Sequence, residues 1–550
     1  MNYALESSST NRPELEKVLA HYKDDTLKYQ AAVFLIENMP GHYSYAGDEI
    51  LKYYEIGEKI LQSALTPVQQ RDTLLKISQQ QFPGLDQNIV SDLKIIKGDY
   101  LIKNIDAAFE QWQTRPWAQH LNFEQFCEFL LPYKCVELQQ LDHWRDTLSA
   151  CFGSSLATRT RADEGYDSPL GASTAVRKEI INKVVPVGMH RQSGYPFLSA
   201  STMHQITYGR CSDYVFLGVA TMRSLGIPVI IESTPQWGRY RTGHEWYTLL
   251  NDKGEMLLSE WDISSDPGRA FFPNMRIPKV FRHTWAINWE TVDYLNKAKY
   301  KHPFSICRKD VTNEYFATSN LSIPTLRKGI KDKYVYIAAF NGHSTDWFVI
   351  DYGILKKGKA EFKNMGRNVL YLALGYDGNG LIPVSKPFIL HKNGDVEYID
   401  SDSTCLQEVV LRRKYFSDEN VVNMQGRVLN GMIQAANNKD FSDCDTIYTI
   451  NNLDYPDKIG LNTSKPYRYW RYMSPDASYG SIAELGFFIE KGNKAETLSG
   501  TMISSIGQNS AIVNKAFDGD WLTNFETDSA NGNWVGMDFG GPVKIDMVRI

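Results

Sequence analysis

The spacing of apolar residues changes along the chain, and this change limits the folds that the chain can adopt. Over residues 12–150 the apolar residues recur at helical spacing, as in ELEKVLAHYKDDTLKYQAAVFLIENM. TPVQQRDTLLKISQQQF opens with a capping threonine and a proline at the first helical position. From about residue 315 the runs alternate or are rich in β-formers, as in KYVYIAAFNG and NVLYLALGYDGNG. The sequence therefore predicts a helical region first and small β-sandwiches later.

The bulk composition excludes several classes of protein. A chain of 550 residues is too long for one compact core, and about three to five domains are expected. A hydrophobic content of 43% indicates a globular chain, and a net charge of -5 gives no electrostatic basis for binding nucleic acid. We expect no transmembrane segment, because no apolar run reaches the roughly 18 residues of a membrane span. MNYALESSSTNRPELEKVL lacks the parts of a signal peptide, which indicates a cytoplasmic protein or an exported one whose leader is missing from this sequence.

Seven cysteines are spread along the chain, and none of them forms a CxxC pair. We therefore expect no metal site, no cofactor and no disulfide scaffold, although one or two disulfides remain compatible with the count. Cys127 and Cys135 stand among bulky apolar residues and are interpreted as packing residues.

One cysteine opens an apolar run, GRCSDYVFLGVATMRSLGIPVIIE, residues 209–232. The pattern predicts a helix from about residue 211 to 225, ended by Gly226, with PVIIE as a buried strand after it. A helix N-terminus favours the thiolate form of a cysteine, so Cys211 is a candidate nucleophile. Taken alone, however, Cys211 is better explained as a buried structural thiol, because free cysteine is among the most buried residue types.

A β-hairpin is predicted downstream, in GHEWYTLL-NDKG-EMLLSEWD. With a three-residue loop of Asp252, Lys253 and Gly254, Asn251 pairs with Glu255, and the same register sets His244 opposite Asp262. A two-residue loop would instead set Trp261 opposite His244 and send Asp262 to the other face. Gly254 at the third loop position favours the first register, in which a carboxylate can orient an imidazole. The alternatives are a surface histidine at 244 and a turn aspartate at 262.

The order of these residues resembles the transglutaminase-like superfamily of papain-type thiol enzymes over about residues 200–265. The resemblance implies Cys211 as nucleophile, His244 as base and general acid, Asp262 as the residue that orients His244, and Gln205 as an oxyanion donor. It implies amide hydrolysis or acyl transfer on a protein or glycopeptide. The rival interpretations are a peptide:N-glycanase-type amidase and a non-catalytic adhesion or glycan-binding protein. Trp237 and Trp246 are expected either to line a substrate cleft or to pack in the core.

Two C-terminal stretches resemble discoidin-like (F5/8 type C) modules, which are jelly-roll-like and galactose-binding-like β-sandwiches. KPYRYWRYMSPDASYGSIAELGFF resembles the closing strands of one module, and residues 514–550 resemble the opening half of a second, incomplete one. The alternative for YRYWRY is a structural strand with alternating aromatic residues. The resemblance implies a carbohydrate ligand, a glycoprotein substrate and an extracellular or cell-surface location; the oligomeric state stays open.

The expected fold is therefore a multidomain α+β chain. Its expected parts are a helical N-terminal region (1–155), a transglutaminase-like, papain-like core (156–312), an Ig-like β-sandwich (313–401), a discoidin-like β-sandwich (402–500) and a partial second discoidin-like module (501–550).

Overall fold

The computed structural model divides the chain into two compact units, Met1–Gln407 and Glu408–Ile550. The described residues are 1–84, 88–160, 165–183, 199–205, 211–238, 243–259, 276–327, 329–341, 346–400, 404, 427–451, 458–476, 478–492, 494–507, 510–520 and 523–550.

Helices dominate the first part of the first unit, as predicted. In chain order they are α1 (Asn2–Ser7), α2 (Arg12–His21), α3 (Thr26–Asn38), α4 (Asp48–Leu61), α5 (Pro67–Gln81), α6 (Asp92–Ile95), α7 (Gly98–Thr114), α8 (Phe123–Phe129), α9 (Trp144–Phe152), α10 (Ser154–Ala157), α11 (Pro169–Lys183), α12 (Cys211–Ser224), α13 (Trp289–Lys297) and α14 (Thr312–Tyr315). The predicted start of α5 is confirmed, because Thr66 and Gln69 form a reciprocal capping box. Among the residues that the structure describes, no helix combines the length and the apolar character needed to cross a bilayer.

Two sheets accompany these helices. A small sheet of β1 (Tyr43–Tyr45) and β2 (Ile89–Ser91) was not predicted. A five-stranded antiparallel sheet has the order β5-β4-β3-β6-β7. Its strands are β3 (Val229–Thr234), β4 (His244–Leu250), β5 (Met256–Ser259), β6 (Phe281–His283) and β7 (Arg308–Asp310). We refer to it as the central sheet.

Helices cover both faces of the central sheet, which explains why β3 is apolar on both sides. Val229 and Ile231 pack with residues of α4, α9, α11 and α12 in one core cluster. Ile230 and Leu250 point to the other face and pack with residues of α2, α3 and α7 in a second cluster. The predicted ranges 1–155 and 156–312 thus share their hydrophobic cores.

The predicted β region after residue 315 is a single eight-stranded antiparallel sheet with the order β15-β14-β12-β9-β10-β11-β8, in which β13 also pairs with β12. Its strands are β8 (Thr318–Pro324), β9 (Tyr334–Asn341), β10 (Asp346–Lys356), β11 (Lys359–Gly366), β12 (Val369–Tyr376), β13 (Leu381–Pro383), β14 (Phe388–Leu390) and β15 (Val396–Tyr398). Val335 and Ile337 face its own apolar core, whereas Tyr334 and Tyr336 pack against α13. Its β character is confirmed, and its Ig-like identity stays a prediction.

The second unit contains two antiparallel sheets, with orders β17-β16-β19-β23-β22 and β18-β24-β20-β21. The strands are β16 (Met432–Ala436), β17 (Asp445–Thr449), β18 (Ile459–Gly460), β19 (Tyr467–Met473), β20 (Gly486–Lys491), β21 (Lys494–Leu498), β22 (Thr501–Ser504), β23 (Trp534–Val543) and β24 (Met547–Arg549); α15 (Ala511–Asn514) lies between β22 and β23. Trp470 of β19 and Phe487 of β20 belong to one core cluster, so the two sheets share their apolar interior.

This topology corrects the expectation of two modules separated at residues 500 and 501. β19 is hydrogen-bonded to β23, and β24 pairs with β18 and β20, so strands from both ranges alternate within the same sheets. Sequence resemblance divided the segment in two because strands that are adjacent in space are 60 or more residues apart here.

The YRYWRY strand also departs from simple alternation. A register shift between Tyr467 and Tyr469 places Tyr467 in the same core cluster as Trp470 and Tyr472. Tyr469 packs instead with Phe441 in a small cluster. The four aromatic side chains are all buried, which favours the structural interpretation of this strand.

Candidate functional site

The predicted Cys211 helix is present as α12, and its end is fixed by backbone hydrogen bonds. Gly226 adopts φ +76°, the N–H of Ile227 donates to Met222 O (2.9 Å), and the N–H of Gly226 donates to Arg223 O (3.2 Å). This is a Schellman motif, which ends the helix at a position whose left-handed backbone conformation favours glycine. Arg223 Nε also donates to Val229 O (3.0 Å), which ties the end of α12 to the start of β3.

This connection determines near which end of the central sheet Cys211 lies. The 14 residues of α12 span about 21 Å. The six residues of β3 span about 20 Å. Because the chain reverses between α12 and β3, the first residue of the helix lies toward the last residue of the strand, Thr234. Thr234 pairs with His244, so Cys211 and His244 belong to the same end of the central sheet.

The β4–β5 hairpin has the predicted register. Leu250 pairs with Met256 and Tyr247 pairs with Ser259, and the N–H of Asn251 donates to Glu255 O (3.0 Å). The three-residue loop with Gly254 in the left-handed region, at φ +79°, is confirmed. Asp262 lies outside the described residues, so its pairing with His244 stays a prediction.

Gly254 gives a direct test of this loop. Gly254→Ala is expected to lower the free energy of unfolding by about 1 kcal/mol, because a non-glycine residue is strained at this φ. An added Cβ would meet no atom within 4 Å, so the cost is conformational rather than steric. Gly254→Asn, measured in the same urea titration, should cost less because asparagine tolerates this conformation. Equal losses for the two variants would contradict the assignment.

His244 shares its sheet face with Trp246 and lies against Trp237. The His244 and Trp237 rings stack with centroids 5.7 Å apart, and the His244 and Trp246 centroids are 6.0 Å apart. Both tryptophans are buried in a cluster with Leu258 and Val280. Of the two alternatives for these tryptophans, core packing is the one observed.

α12 covers the opposite face of the central sheet. A Cβ on Gly218 would lie 3.3 Å from the Tyr247 ring, so helix and strand are closely packed there. Because side chains alternate along β4, His244 and Tyr247 point to different faces. Any contact between the His244 imidazole and Cys211 is therefore made around the end of the sheet, where β4 begins. The side chain of Cys211 lies outside the described residues.

A buried ion pair lies on the face of the central sheet that carries His244, and it was not predicted from the sequence. Arg282 Nε donates to Glu232 Oε1 (2.6 Å), and Arg282 also bonds Glu314 (2.6 Å). Tyr315 Oη donates to the other oxygen of Glu232 and accepts from Trp246 Nε1 (2.7 Å). An acidic residue at the end of the apolar PVIIE was the signal that could have indicated a buried partner.

Gln205, Cys127 and Cys135 are the remaining residues that the sequence singled out. Gln205 ends a 3-10 turn, Met203–Gln205, and its N–H donates to Thr202 O (3.0 Å), while its role as an oxyanion donor stays a prediction. Cys127 and Cys135 are buried in the core clusters, which confirms them as packing residues. Burial raises the pKa of Cys127 to about 12. Cys127, Cys135, Cys151, Cys307 and Cys444 are free thiols.

A second group of chemically active side chains was not predicted at all. His42, Glu137 and Cys307 meet beside a small cavity in the first unit. His42 and Cys307 are 265 residues apart in sequence, and no local pattern connects them. Within the described ranges, no three His, Cys, Asp or Glu side chains are grouped so as to hold a metal ion.

Comparisons of the chain with protein-family models, with curated proteins and with solved structures find no match.

Proposed function

We propose that the chain is a thiol-dependent amide hydrolase or acyl transferase of the transglutaminase-like type. In this proposal Cys211 is the nucleophile, His244 the base and general acid, and Asp262 the residue that orients His244. The supporting observation is the hairpin register from Leu250–Met256 to Tyr247–Ser259, which, continued by three residues, sets position 262 opposite His244. The position of Cys211 at the start of α12, at the same end of the sheet, agrees with it.

The proposed reaction is acyl transfer through a thioester. The Cys211 sulfur attacks the acyl carbon of an amide, a carbon–sulfur bond forms, and the carbonyl oxygen becomes an oxyanion. The backbone N–H of Cys211 and the side chain of Gln205 are the proposed donors to that oxyanion. His244 then protonates the leaving amine as the carbon–nitrogen bond breaks, and water or a second amine resolves the thioester.

The proposal includes a protein or glycoprotein substrate met outside the cell or at its surface. The second unit would then bind carbohydrate as a discoidin-like module. Its two antiparallel sheets with a shared apolar core are compatible with that class of β-sandwich.

Thiol labelling tests the nucleophile. At neutral pH iodoacetamide should modify Cys211 faster than Cys444, which is an exposed free thiol and so measures the effect of exposure alone. His244→Gln should slow the modification of Cys211 by about tenfold or more, and Asp262→Asn by less, because the aspartate acts through the histidine. Cys127 is the internal control, since its raised pKa leaves little thiolate. Modification of Cys211 no faster than of Cys444 would refute a catalytic Cys211.

Turnover tests the reaction class. The wild type should process members of a peptide and glycopeptide library, and Cys211→Ala should abolish this while retaining the same thermal unfolding midpoint. Release of free glycan from a denatured glycopeptide would identify the glycanase-type amidase. If the wild type and Cys211→Ala both bind glycan but process the library equally, or not at all, the enzyme proposal is contradicted and an adhesion role is favoured.

A further inference from the structure

His42, Cys307 and Glu137 form a buried chain of titratable groups in the first unit. His42 Nε2 lies 3.7 Å from Cys307 Sγ, and His42 Nδ1 lies 3.7 Å from Glu137 Oε2. His42 and Cys307 are 4% and 8% exposed, whereas half of the Glu137 side chain is exposed. The order thiol, imidazole, carboxylate is that of an activated cysteine nucleophile.

The surroundings of His42 favour its charged form. Nε2 lies 3.1 Å from Trp285 O, which can only accept, so this nitrogen carries a proton. Nδ1 faces the Glu137 carboxylate, which favours a proton there as well. The Trp285 ring stacks on the imidazole with centroids 3.8 Å apart, a geometry that favours a cation. Burial alone would lower the pKa of His42, but the Cys307 sulfur and the Glu137 carboxylate raise it to about 10.

The three residues line a cavity of about 70 Å³. This volume holds a few water-sized molecules, and it is too small for a peptide. Two of its lining residues, Glu137 and Ser305, are exposed, so the cavity reaches the surface beside the thiol. Trp285 also lines it, and the buried Trp285 Nε1 has no hydrogen-bond partner among the described residues. A small polar molecule in the cavity would satisfy an unpartnered donor of this kind.

The walls of the cavity are held by other contacts, so the thiol is fixed in place. Lys134 pairs with the fully buried Asp92 (2.8 Å), and Glu128 accepts from the N–H of Trp285 (2.7 Å). Cys307 Sγ lies 3.8 Å from Gly41 O. A Cβ on residue 41 would lie 2.7 Å from that sulfur, so the close approach requires glycine.

A metal site does not explain this arrangement. Glu137 faces Nδ1 and Cys307 faces Nε2, so the carboxylate and the thiol lie at opposite edges of the imidazole and cannot share one ion with it. A packing role explains it less well, because the packing residue Cys127 lies in an apolar core cluster, whereas Cys307 lies beside a histidine.

We infer that Cys307 is a second reactive thiol, oxidised to a sulfenic acid by a small hydroperoxide that enters the cavity, with His42 as the proton donor. The Cys307 sulfur reacts as the thiolate, beside the protonated His42, and attacks the peroxide oxygen that carries hydrogen, so that the sulfur–oxygen bond forms as the oxygen–oxygen bond breaks. The sulfur loses two electrons and the peroxide gains them. The departing hydroxide or alkoxide takes a proton from His42 and leaves as water or alcohol. Glu137 is the positioning residue that holds the imidazole.

Hydrogen peroxide and dimedone test this inference on the full chain. With dimedone present at neutral pH, mass spectrometry of each cysteine peptide gives the rate of sulfenic acid formation. Cys307 should react about tenfold faster than the buried Cys127, and faster than the exposed Cys444 despite its burial. His42→Gln should lower the Cys307 rate by about tenfold or more. Glu137→Gln should lower it a few-fold.

The matched variants separate chemistry from folding. If His42→Gln fails to fold, Glu137→Gln still tests the inference, because half of that side chain is exposed and amide replaces carboxylate at equal size. A Cys307 rate equal to that of Cys127 would show that Cys307 is a packing residue, and a fast rate unchanged by Glu137→Gln would overturn the positioning role of Glu137. The inference does not rest on the proposed acyl transfer, since Cys211→Ala should leave the Cys307 rate unchanged.

Discussion

Arg282→Met is expected to lower the free energy of unfolding by about 3–5 kcal/mol, because it leaves the fully buried Glu232 carboxylate without its counterion. Among the described residues, Glu232 would keep only the side-chain hydrogen bond from Tyr315. Equilibrium urea denaturation, followed by circular dichroism, measures this change. The midpoint should fall while the slope stays the same, since the surface exposed on unfolding is unchanged.

A double variant identifies the cause of that loss. Glu232→Gln combined with Arg282→Met removes both charges and should recover part of the stability, because no uncompensated charge remains buried. Lys297→Met is the matched surface control, since the Lys297–Asp293 pair on α13 is exposed and should contribute nothing measurable. An Arg282→Met protein as stable as the wild type would show that the buried pair does not hold the sheet.

This network matters for the candidate site because it fixes the residues next to His244. Tyr315 bridges Glu232 and Trp246 Nε1, and the Trp246 ring lies against His244. Loss of the Glu232–Arg282 pair should therefore loosen the packing of Trp246 against His244 before it affects α12, which packs on the other face of the central sheet. The near-ultraviolet circular dichroism of the tryptophans reports that loosening.

The parts of the site that could be predicted are those set by local geometry. Gly226 ends α12 and Gly254 sets the hairpin loop, and both act through backbone angles that a few neighbouring residues determine. The Glu232–Arg282 pair and the His42–Cys307 pair join residues 50 and 265 positions apart. Such pairs depend on which strands become neighbours, and a single sequence does not contain that information locally.

The same limit explains why the predicted domain boundaries differ from the observed compact units. Composition changes near residue 315, where helices give way to strands, and this change suggested a boundary between 312 and 313. The structure instead places both sides in one compact unit, Met1–Gln407. Direct contacts join them: a Cβ on Gly366 would lie 1.8 Å from Ile277 O, so β11 touches the backbone that leads into β6. The sequences next to Gly366 and Ile277 contain no motif that predicts this contact.

Lys279→Met is expected to lower the free energy of unfolding by about 3 kcal/mol or more, because it removes a buried cation shared by two carboxylates. Lys279 Nζ lies 2.5 Å from Asp310 and 3.1 Å from Asp351, and it donates to Lys363 O (2.7 Å). Its side chain is only 1% exposed. Asp310 belongs to the central sheet and Asp351 to the eight-stranded sheet, so one ammonium group couples the two.

The coupling has a measurable consequence for cooperativity. If Lys279 joins the two sheets, residues 1–407 of the wild type should unfold in one transition in urea, and Lys279→Met should shift that transition or split it.

Lys363→Met is the control on β11, since that side chain is 81% exposed and its nearest carboxylate, Glu290, is 3.8 Å away. Asp351 keeps Arg308 as a partner (3.0 Å) in the variant, so the uncompensated charge falls mainly on Asp310. A Lys279→Met protein that unfolds like Lys363→Met would mean that the remaining contacts, among them the Arg308–Asp351 pair and the packing of Tyr336 on Tyr294, hold the sheet in place.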